Sequence, residues 1–585
     1  MVMPVQLSTK TQQNNCAIIY DASNHHWWKF HRLAYVYETH NHKDVRDILK
    51  RVETQVKQRN LWAVGFVSYE AAPAFDDALD VNDPDFLPLI WIGLYHDPEK
   101  VNVNESVSIF PAPPNWQPSI TTAEYQSSIR KIKEHIQRGN TYQVNYSYRL
   151  YAPFEQPAWT YFINMIHAQS YGYAAYIDTA DWTICSASPE LFFSFRDKEL
   201  ISRPMKGTAS RGLWLLQDQK REAWLRQSEK NRAENTMIVD MVRNDMGKIA
   251  QRGTVRVARL YDVEKYPTVW QMTSTVQCTT SASFVEIFQA LFPAASITGA
   301  PKAKTMSIIK ELEPLPRNIY TGTIGFLSPH SIAQFNVAIR TLLVEKSNKT
   351  AEYGVGGGIV WDSVGSKELQ ETRIKAKILH QKSPEFIIES ILWTPEEGFF
   401  LLDKHLNRLK ESAAYFSRFV DIDDINNTLL KRVKTFQHPK KIRLLVPAHG
   451  KPVIDIRSIS PLPQPYNIRL ASSLSHSNNP FLYHKTSYRA IYKDALKRAP
   501  GYDDILFWNE RGEITESSIA NVALEIKGTL FTPPITAGLL PGVYRQFMLE
   551  QKKLKVARLT CEQARTCSRI LLLNSVRGMW EAVLQ

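Results

Sequence analysis

The run Glu352-Tyr353-Gly354-Val355-Gly356-Gly357-Gly358-Ile359-Val360-Trp361, followed by Glu368-Leu369-Gln370-Glu371-Thr372, decides how this chain folds. Tyr353 to Trp361 carries the aromatic and β-branched residues of a strand, and the segment bearing Glu368 and Glu371 has the character of a helix. The glycines suggest a dinucleotide fingerprint, but the third glycine that such a turn requires is Ile359, so that reading fails. Glu368 and Glu371, three apart on a helix, direct both carboxylates to one side. On an ordinary surface helix they would simply be solvated. If they met a third acid such as Glu234, placed at the start of another helix, mutual repulsion would favour a hard cation with oxygen ligands, Mg²⁺ above all.

Outward from that run, strand-like stretches span Asn336 to Val344, Trp62 to Tyr69 and Leu89 to Tyr95. Thr121 and Glu124 have capping-box spacing and open a helix with Ile129, Ile132 and Ile136 on one face, ended by Gly139. A further helix begins near Glu234, with Met237, Ile238, Met241 and Val242 on one side. The proline-rich stretch Pro111 to Pro118 precedes these helices. At Gln381 to Pro384 the pattern breaks and a new strand starts at Phe386. Two domains are therefore expected, 1–382 and 385–585. The stiff Pro461-Leu462-Pro463-Gln464-Pro465 splits the second into subdomains of about 385–460 and 466–585. The expected fold class is α+β throughout.

At 585 residues the chain is too long for one ordinary core, and 44% apolar with 22% charged residues is the balance of a globular protein. The N-terminal stretch Ser8 to Asn15 is polar, and no apolar run is long enough to span a bilayer. The five cysteines form no CxxC pair, so neither a structural zinc nor a disulfide framework is expected, and a reducing cytoplasm fits. The net charge of +13 is dispersed rather than gathered into a nucleic-acid signature, which points to acidic metabolites before a polyanion or a membrane surface. His25-His26 and the pair His40 and His42 lack supporting cysteines or carboxylates and read as ordinary histidines.

From about Tyr125 to Leu379 the chain resembles the chorismate-utilising enzymes, which include anthranilate, isochorismate, salicylate and aminodeoxychorismate synthases. The matching residues are Tyr142-Gln143-Val144-Asn145, Ser188-Pro189-Glu190, Ala233-Glu234-Asn235, Met237-Ile238-Val239-Asp240 and Arg243-Asn244-Asp245. Thr298-Gly299-Ala300-Pro301-Lys302, Tyr320-Thr321-Gly322, Gly356 to Val360, and Glu368 to Thr372 with Lys375-Ala376 complete the set. The resemblance implies a two-lobed β-sandwich with surrounding helices. It places Mg²⁺ between Glu234 and Glu371, with Glu368 assisting through water. Arg340, Tyr320, Thr298 and backbone N–H groups near Gly358 fall at substrate-binding positions, and arginine's planar fork suits a carboxylate.

Lys206, in Pro204-Met205-Lys206-Gly207-Thr208, narrows the resemblance, because anthranilate and isochorismate synthases carry alanine there and aminodeoxychorismate synthases carry lysine. A neutral amine at this point can attack C2 of the ring as the C4 hydroxyl leaves, and ammonia then adds at C4. Glu190 stands at the family's acid–base position. Gln271 replaces a histidine of anthranilate synthases, which argues against pyruvate elimination in this half. Asn231 replaces an outer-sphere acid. No cysteine lies in a Gly-x-Cys-x-Gly setting, so a separate glutamine amidotransferase is the expected ammonia source.

In the second half three groups of residues stand out: Asp403 to Leu409, Lys485 between Tyr483 and Tyr488-Arg489, and Gly512 to Asn521 following an apparent strand from Asp504 to Asn509. Together they resemble the fold-type IV pyridoxal-phosphate enzymes, which include aminodeoxychorismate lyase and the branched-chain and D-amino-acid aminotransferases. By that resemblance Lys485 carries the cofactor, and Glu516 faces its pyridine nitrogen. Arg408, Gly542, Val543, Asn574 and Ser575 hold its phosphate. Ser390 is a substrate contact in place of a threonine. The family's glycine-rich opening turn is missing, which leaves substrate choice open.

The pairing implies synthesis of p-aminobenzoate, because the product of a chorismate-aminating half is the substrate of a lyase half. The resemblance leaves room for a homodimer through the second domain. The competing readings are a transaminase in the second half, an anthranilate synthase-like first half, and a degenerate partner without catalysis. Intact Lys206, Glu371, Lys485 and Glu516 oppose the last.

Overall fold

The computed structural model describes residues 15–103, 114–169, 172–380, 384–448 and 450–585. Most of Ser8 to Asn15, Pro111 to Pro113 and most of the expected domain junction at Gln381 to Pro384 lie outside these residues. Two compact units are present. One comprises residues up to Arg211 and Glu222–Lys382; the other comprises Ser383–Gln585 together with Gly212–Arg221.

The first unit contains two ten-stranded sheets. Antiparallel pairing of Gln143–Pro153 with Thr350–Ile359 is the backbone of one sheet, and its register sets Asn145 opposite Gly358. In the other, Val269–Thr279 pairs with both Glu199–Arg203 and Met205–Ser210. The two sheets face each other across a core of Ile19, Phe30, Ile177 and Ile184 from one and Val64, Phe66, Trp91 and Ile324 from the other. Alternate residues of each strand supply that core, the period-two burial expected of a sandwich. Helices cover the outer faces. His42–Arg59 does so with Val45, Ile48, Leu49, Val52 and Val56, the spacing of an amphipathic helix.

The capping box at Thr121 and Glu124 forms as its spacing requires and opens Thr122–Gln137. Two local expectations need correction. The helix expected from about Glu234 begins a turn and a half earlier, at Glu229, because the Ser228 side chain accepts the Asn231 N–H and caps it there. Glu234 is therefore inside the helix. The expected strand from Asn336 to Val344 is broken. Ala333–Val337 belongs to one sheet and Thr341–Glu345 to the other, with Arg340 at φ 53° where the chain crosses over.

The second unit opens with Phe386–Thr394 in a four-stranded sheet, packed on the helix Leu402–Tyr415 through Ile387, Ile391, Ile442, Leu406 and Leu409. An eight-stranded sheet follows the prolines at 461–465, built on Ile468, Leu506, Val522, Leu524 and Leu572. The excursion Gly212–Arg221 was not legible in the sequence. Leu213 and Trp214 pack in a cluster with Tyr483, Tyr492 and Phe507, and Gly212 accepts a hydrogen bond from the Tyr415 hydroxyl at 2.8 Å.

Two candidate active sites

The first unit holds a cavity of about 470 Å³. Lys206 reaches it because the pairing of Met205–Ser210 with Val269–Thr279 slips register between Met205 and Thr208. Such a bulge re-aims a side chain that a regular ladder would hold flat. Gly207, at φ +100°, completes the kink, and its carbonyl accepts a bond from Gln271 Nε2 at 2.9 Å. Gln271 also accepts from the Thr208 hydroxyl at 3.0 Å, so it braces the turn that bears the lysine. The Lys206 amine lies against the strand from the opposite sheet: a Cβ placed on Gly358 would be 2.0 Å from its Nζ. Any side chain there would push the amine out of this position. Lys206 is 9% exposed, and burial first, then Lys375, lowers the pKa of its amine against the pull of Glu234, Glu371 and Glu368.

Glu190 lines the same cavity. Its carboxylate accepts the Ser296 hydroxyl at 2.6 Å and the Met205 N–H at 3.3 Å. Burial dominates these bonds and pushes its pKa up to about 7, so it can hold or release a proton near neutrality. Glu234, Glu368 and Glu371 all line the cavity, as do Arg340, Tyr320 and Gly358. Glu371 pairs with Lys375 at 2.8 Å, and Lys375 also donates to the Gly356 carbonyl. Among the described residues no three potential metal ligands converge to ligating distance. The donor set is nevertheless all carboxylate oxygen, which is the kind a magnesium ion takes. Thr298 is placed differently. It is buried outside the cavity lining, its hydroxyl turned to the carbonyls of Ala294 and Ala295.

Three supports were given no role from the sequence, although Lys375 stands in one of its motifs. Ser296 holds Glu190. Lys375 faces Glu371. The buried Arg317, paired with Glu313 at 2.7 Å, donates to the carbonyls of Asn145 and Ile297, two cavity residues on separate elements. Ser296 with Glu190, and Arg317 with the Asn145 carbonyl, join segments more than a hundred residues apart, whereas Lys375 and Glu371 lie one helical turn apart. The motif Tyr142 to Asn145 held a further signal, since Gln143 is fully buried beside Gly358 with neither amide atom hydrogen-bonded.

The second unit holds a cavity of about 280 Å³. Lys485, Glu516, Arg408, Gly542, Val543, Asn574, Ser575 and Ser390 all line it. Burial lowers the pKa of Lys485 to about 7, helped by Arg489 and Arg408 and opposed by Glu389. Glu516 accepts the Tyr492 hydroxyl at 2.6 Å and the Leu540 N–H at 3.0 Å, and burial pushes its pKa to about 7. Arg408 is bound on both sides of its fork by Glu389, at 2.9 and 2.7 Å, and its third nitrogen donates to the Pro541 carbonyl. Glu389, which also bonds His405 at 2.7 Å, pays for its burial with these contacts, and they hold its pKa down at about 2. A Cβ on Gly542 would lie 1.9 Å from Asn521 Oδ1, so only glycine fits at this N-terminus of the helix Val543–Glu550. A helix N-terminus beside a fixed arginine is suited to a phosphate.

Residues 15–381 match the family described as chorismate binding enzyme. The chain belongs to that family. Residues 387–583 match amino-transferase class IV. Among individual relatives of this chorismate binding enzyme, aminodeoxychorismate synthase component 1 of Escherichia coli K12 is 38% identical over 270 residues, covering 46% of this chain and 59% of that protein. The protein of the same name from Bacillus subtilis 168 is 34% identical over 54% of this chain and 75% of its own length. Anthranilate synthase component 1 of Spirochaeta aurantia is 34% identical over 53% and 61%. The chain thus spans about three fifths of several of the curated relatives it matches. Two solved structures share the fold of the first unit. Anthranilate synthase component I from Streptococcus pneumoniae has a TM-score of 0.51 at 23% identity, covering 65% of this chain and 91% of that one. The menaquinone-specific isochorismate synthase of Escherichia coli has a TM-score of 0.50 at 18% identity, covering 65% and 94%.

Proposed function

We propose that the first unit aminates chorismate at C4 to give 4-amino-4-deoxychorismate, and that the second unit converts this product to p-aminobenzoate and pyruvate. The observation that carries the proposal is the buried amine of Lys206, set over Gly358 in a cavity it shares with Glu190, Glu234, Glu368 and Glu371. Burial favours the neutral amine, which is the form that attacks C2 as the C4 hydroxyl departs. Glu190, with its pKa near neutrality, gives a proton to that hydroxyl, which leaves as water. Ammonia then bonds to C4, the C2–N bond to Lys206 breaks, and the lysine is restored. Arg340 and the Gly358 backbone orient the enolpyruvyl carboxylate. Glu234, Glu368 and Glu371 would hold Mg²⁺, whose charge would offset that of the ring carboxylate.

In the second unit Arg408 and the Gly542–Val543 turn would hold the phosphate of pyridoxal phosphate, and Glu516 would face its ring nitrogen. When bound, the cofactor withdraws electrons from the carbon that bears the substrate's amine. Lys485, neutral above about pH 7, is the base placed to take the proton from that carbon. The C3–O bond to the enolpyruvyl group then breaks, the enolate so released takes up one proton and leaves as pyruvate, and the ring becomes aromatic. The class IV aminotransferase match supports a second reading, a transaminase, which would need a keto-acid acceptor.

Ammonia is proposed to come from a glutamine amidotransferase partner. The five cysteine thiols all have raised pKa values, each chiefly through burial, the reverse of what a glutaminase nucleophile needs. The test is to supply chorismate, Mg²⁺ and an ammonium salt at high pH and identify the aromatic product. Lys206→Ala should abolish amination yet leave conversion of supplied 4-amino-4-deoxychorismate intact, and Lys485→Ala should do the reverse. Anthranilate as the product, or full amination by Lys206→Ala, would refute the first half of the proposal. A requirement for a keto acid would refute the second half.

A further inference from the structure

The cavity of the second unit carries more positive charge than one cofactor phosphate requires. Lys441 and Arg443 lie on the strand Lys440–Pro447, in register with Leu392 and Ser390, and both line the cavity. The alternate residues of that strand, Ile442 and Leu444, point into the apolar core, so the two cations face the cavity by strand periodicity. Arg489 stands at the start of the helix Ala490–Lys497, its guanidinium 4.4 Å above the Tyr492 ring and bonded to the Ser518 carbonyl. Arg577 comes in from the turn after Arg569–Asn574, anchored at 2.7 Å to the carbonyl of Ser460. Both arginines line the same cavity as Lys485.

No carboxylate answers these four cations at close range. Among the described residues none of the four has an acid within ion-pair distance. Asp455, opposite Arg443 on the neighbouring strand, is paired with Arg457 at 2.7 Å. Glu389 is taken by Arg408 and His405, and Glu516 by Tyr492 and the Leu540 N–H. The Lys441 amine is correspondingly lowered, by burial first and then by Arg443, Arg577, Arg457 and Arg489. Half-buried cations that face one another are costly unless an anion joins them. The phosphate already has Arg408 and the helix N-terminus at Gly542.

We propose that Lys441, Arg443, Arg489 and Arg577 form a subsite for a substrate bearing two carboxylates, and that this subsite selects a diacid over an amino acid with an apolar side chain. The proposal rests on the lyase reading and deepens it. An amino-substituted ring with one carboxylate on the ring and a second on its enolpyruvyl ether presents two anions held rigidly apart. Arginine forks and a lysine on three different elements can meet both. An alkyl amino acid would leave at least half of these charges unanswered. Ser390, opposite Arg443, sits on the same wall.

Two measurements test the subsite separately from the reaction. One is the kinetics of 4-amino-4-deoxychorismate conversion. The other is competition by chorismate, which keeps both carboxylates but lacks the amine, with Mg²⁺ chelated so that the first unit stays idle. Arg443→Ala and Arg577→Ala should each raise KM and the chorismate inhibition constant roughly ten- to hundredfold, with kcat little changed. Cofactor absorbance and affinity should remain those of the parent chain, and Arg443→Lys should recover part of the loss. Unchanged KM and inhibition constant in both alanine variants would overturn the proposal. So would a loss confined to cofactor affinity, which would make the cluster a phosphate site. If the parent chain released no p-aminobenzoate, the lyase reading would fail. Chorismate binding, read from the cofactor's absorbance, would still decide for or against the diacid subsite.

Discussion

Replacing Gly358 by alanine should disable the first unit without unfolding it. The added Cβ would fall 2.0 Å from Lys206 Nζ and 3.0 Å from its Cε. Non-bonded carbon and nitrogen need about 3.5 Å, so the amine must retreat by roughly 1.5 Å. The amine must swing into the cavity it lines and away from its place over Gly358, because Gln143 Cδ, 3.2 Å from the same point, closes the other side. A displacement of about 1 Å at a reacting group costs on the order of 100-fold in rate. The expected loss in amination is therefore about 100-fold or more, equivalent to roughly 2.7 kcal/mol of transition-state stabilisation. The assay is the initial rate of 4-amino-4-deoxychorismate formation from chorismate, Mg²⁺ and ammonium. Conversion of supplied intermediate by the second unit and the melting temperature serve as controls, and both should stay within error of the parent. A Gly358→Ala chain that aminates at the parent rate would refute the claim that the Lys206 amine works from this position.

Glu389→Gln should destabilise the second unit by about 3–5 kcal/mol, because it leaves the buried Arg408 without its counter-charge. Differential scanning calorimetry would show this as a fall of roughly 6–20 °C in its transition. Since the carboxyl's pKa is held down at about 2, its stabilisation is complete above the ordinary carboxylate range and is lost as pH falls toward that value. The deficit of the variant should therefore be constant at neutral pH and shrink in acid, and a deficit that grew in acid would contradict this account. The rate at which added pyridoxal phosphate attaches to the apo chain, followed by its visible absorbance, should rise through about pH 7 and level off, because Lys485 reacts only when neutral. A midpoint near the ordinary lysine value would show that the amine is not buried as described.

Much of the architecture was legible in the chain because it is written in local patterns. The capping box at Thr121 and Glu124, the apolar stripe of the following helix and the strand from Tyr353 all depend on residues a few positions apart. The misread segments were those where a distant contact overrode the local pattern. Asn336 to Val344 reads as strand because Val337, Ile339, Thr341 and Val344 are β-branched, yet each end has its partner in a different sheet. The segment Gly212–Arg221 gives no sequence sign that it belongs with the second unit, because only the surface that receives Trp214, formed around Tyr483, decides it.

By itself the sequence determined which chemical groups are present: an unusual lysine, a trio of acids, a second lysine with its glutamate and arginine. Their types and motif spacing are carried by covalent order, which is fixed before folding. Whether an amine is charged, which acid holds a proton near neutrality and which arginines have no acidic partner among the described residues were decided only by the tertiary structure. Those properties arise from desolvation and from charges that folding brings together from separate segments, and no local pattern encodes either.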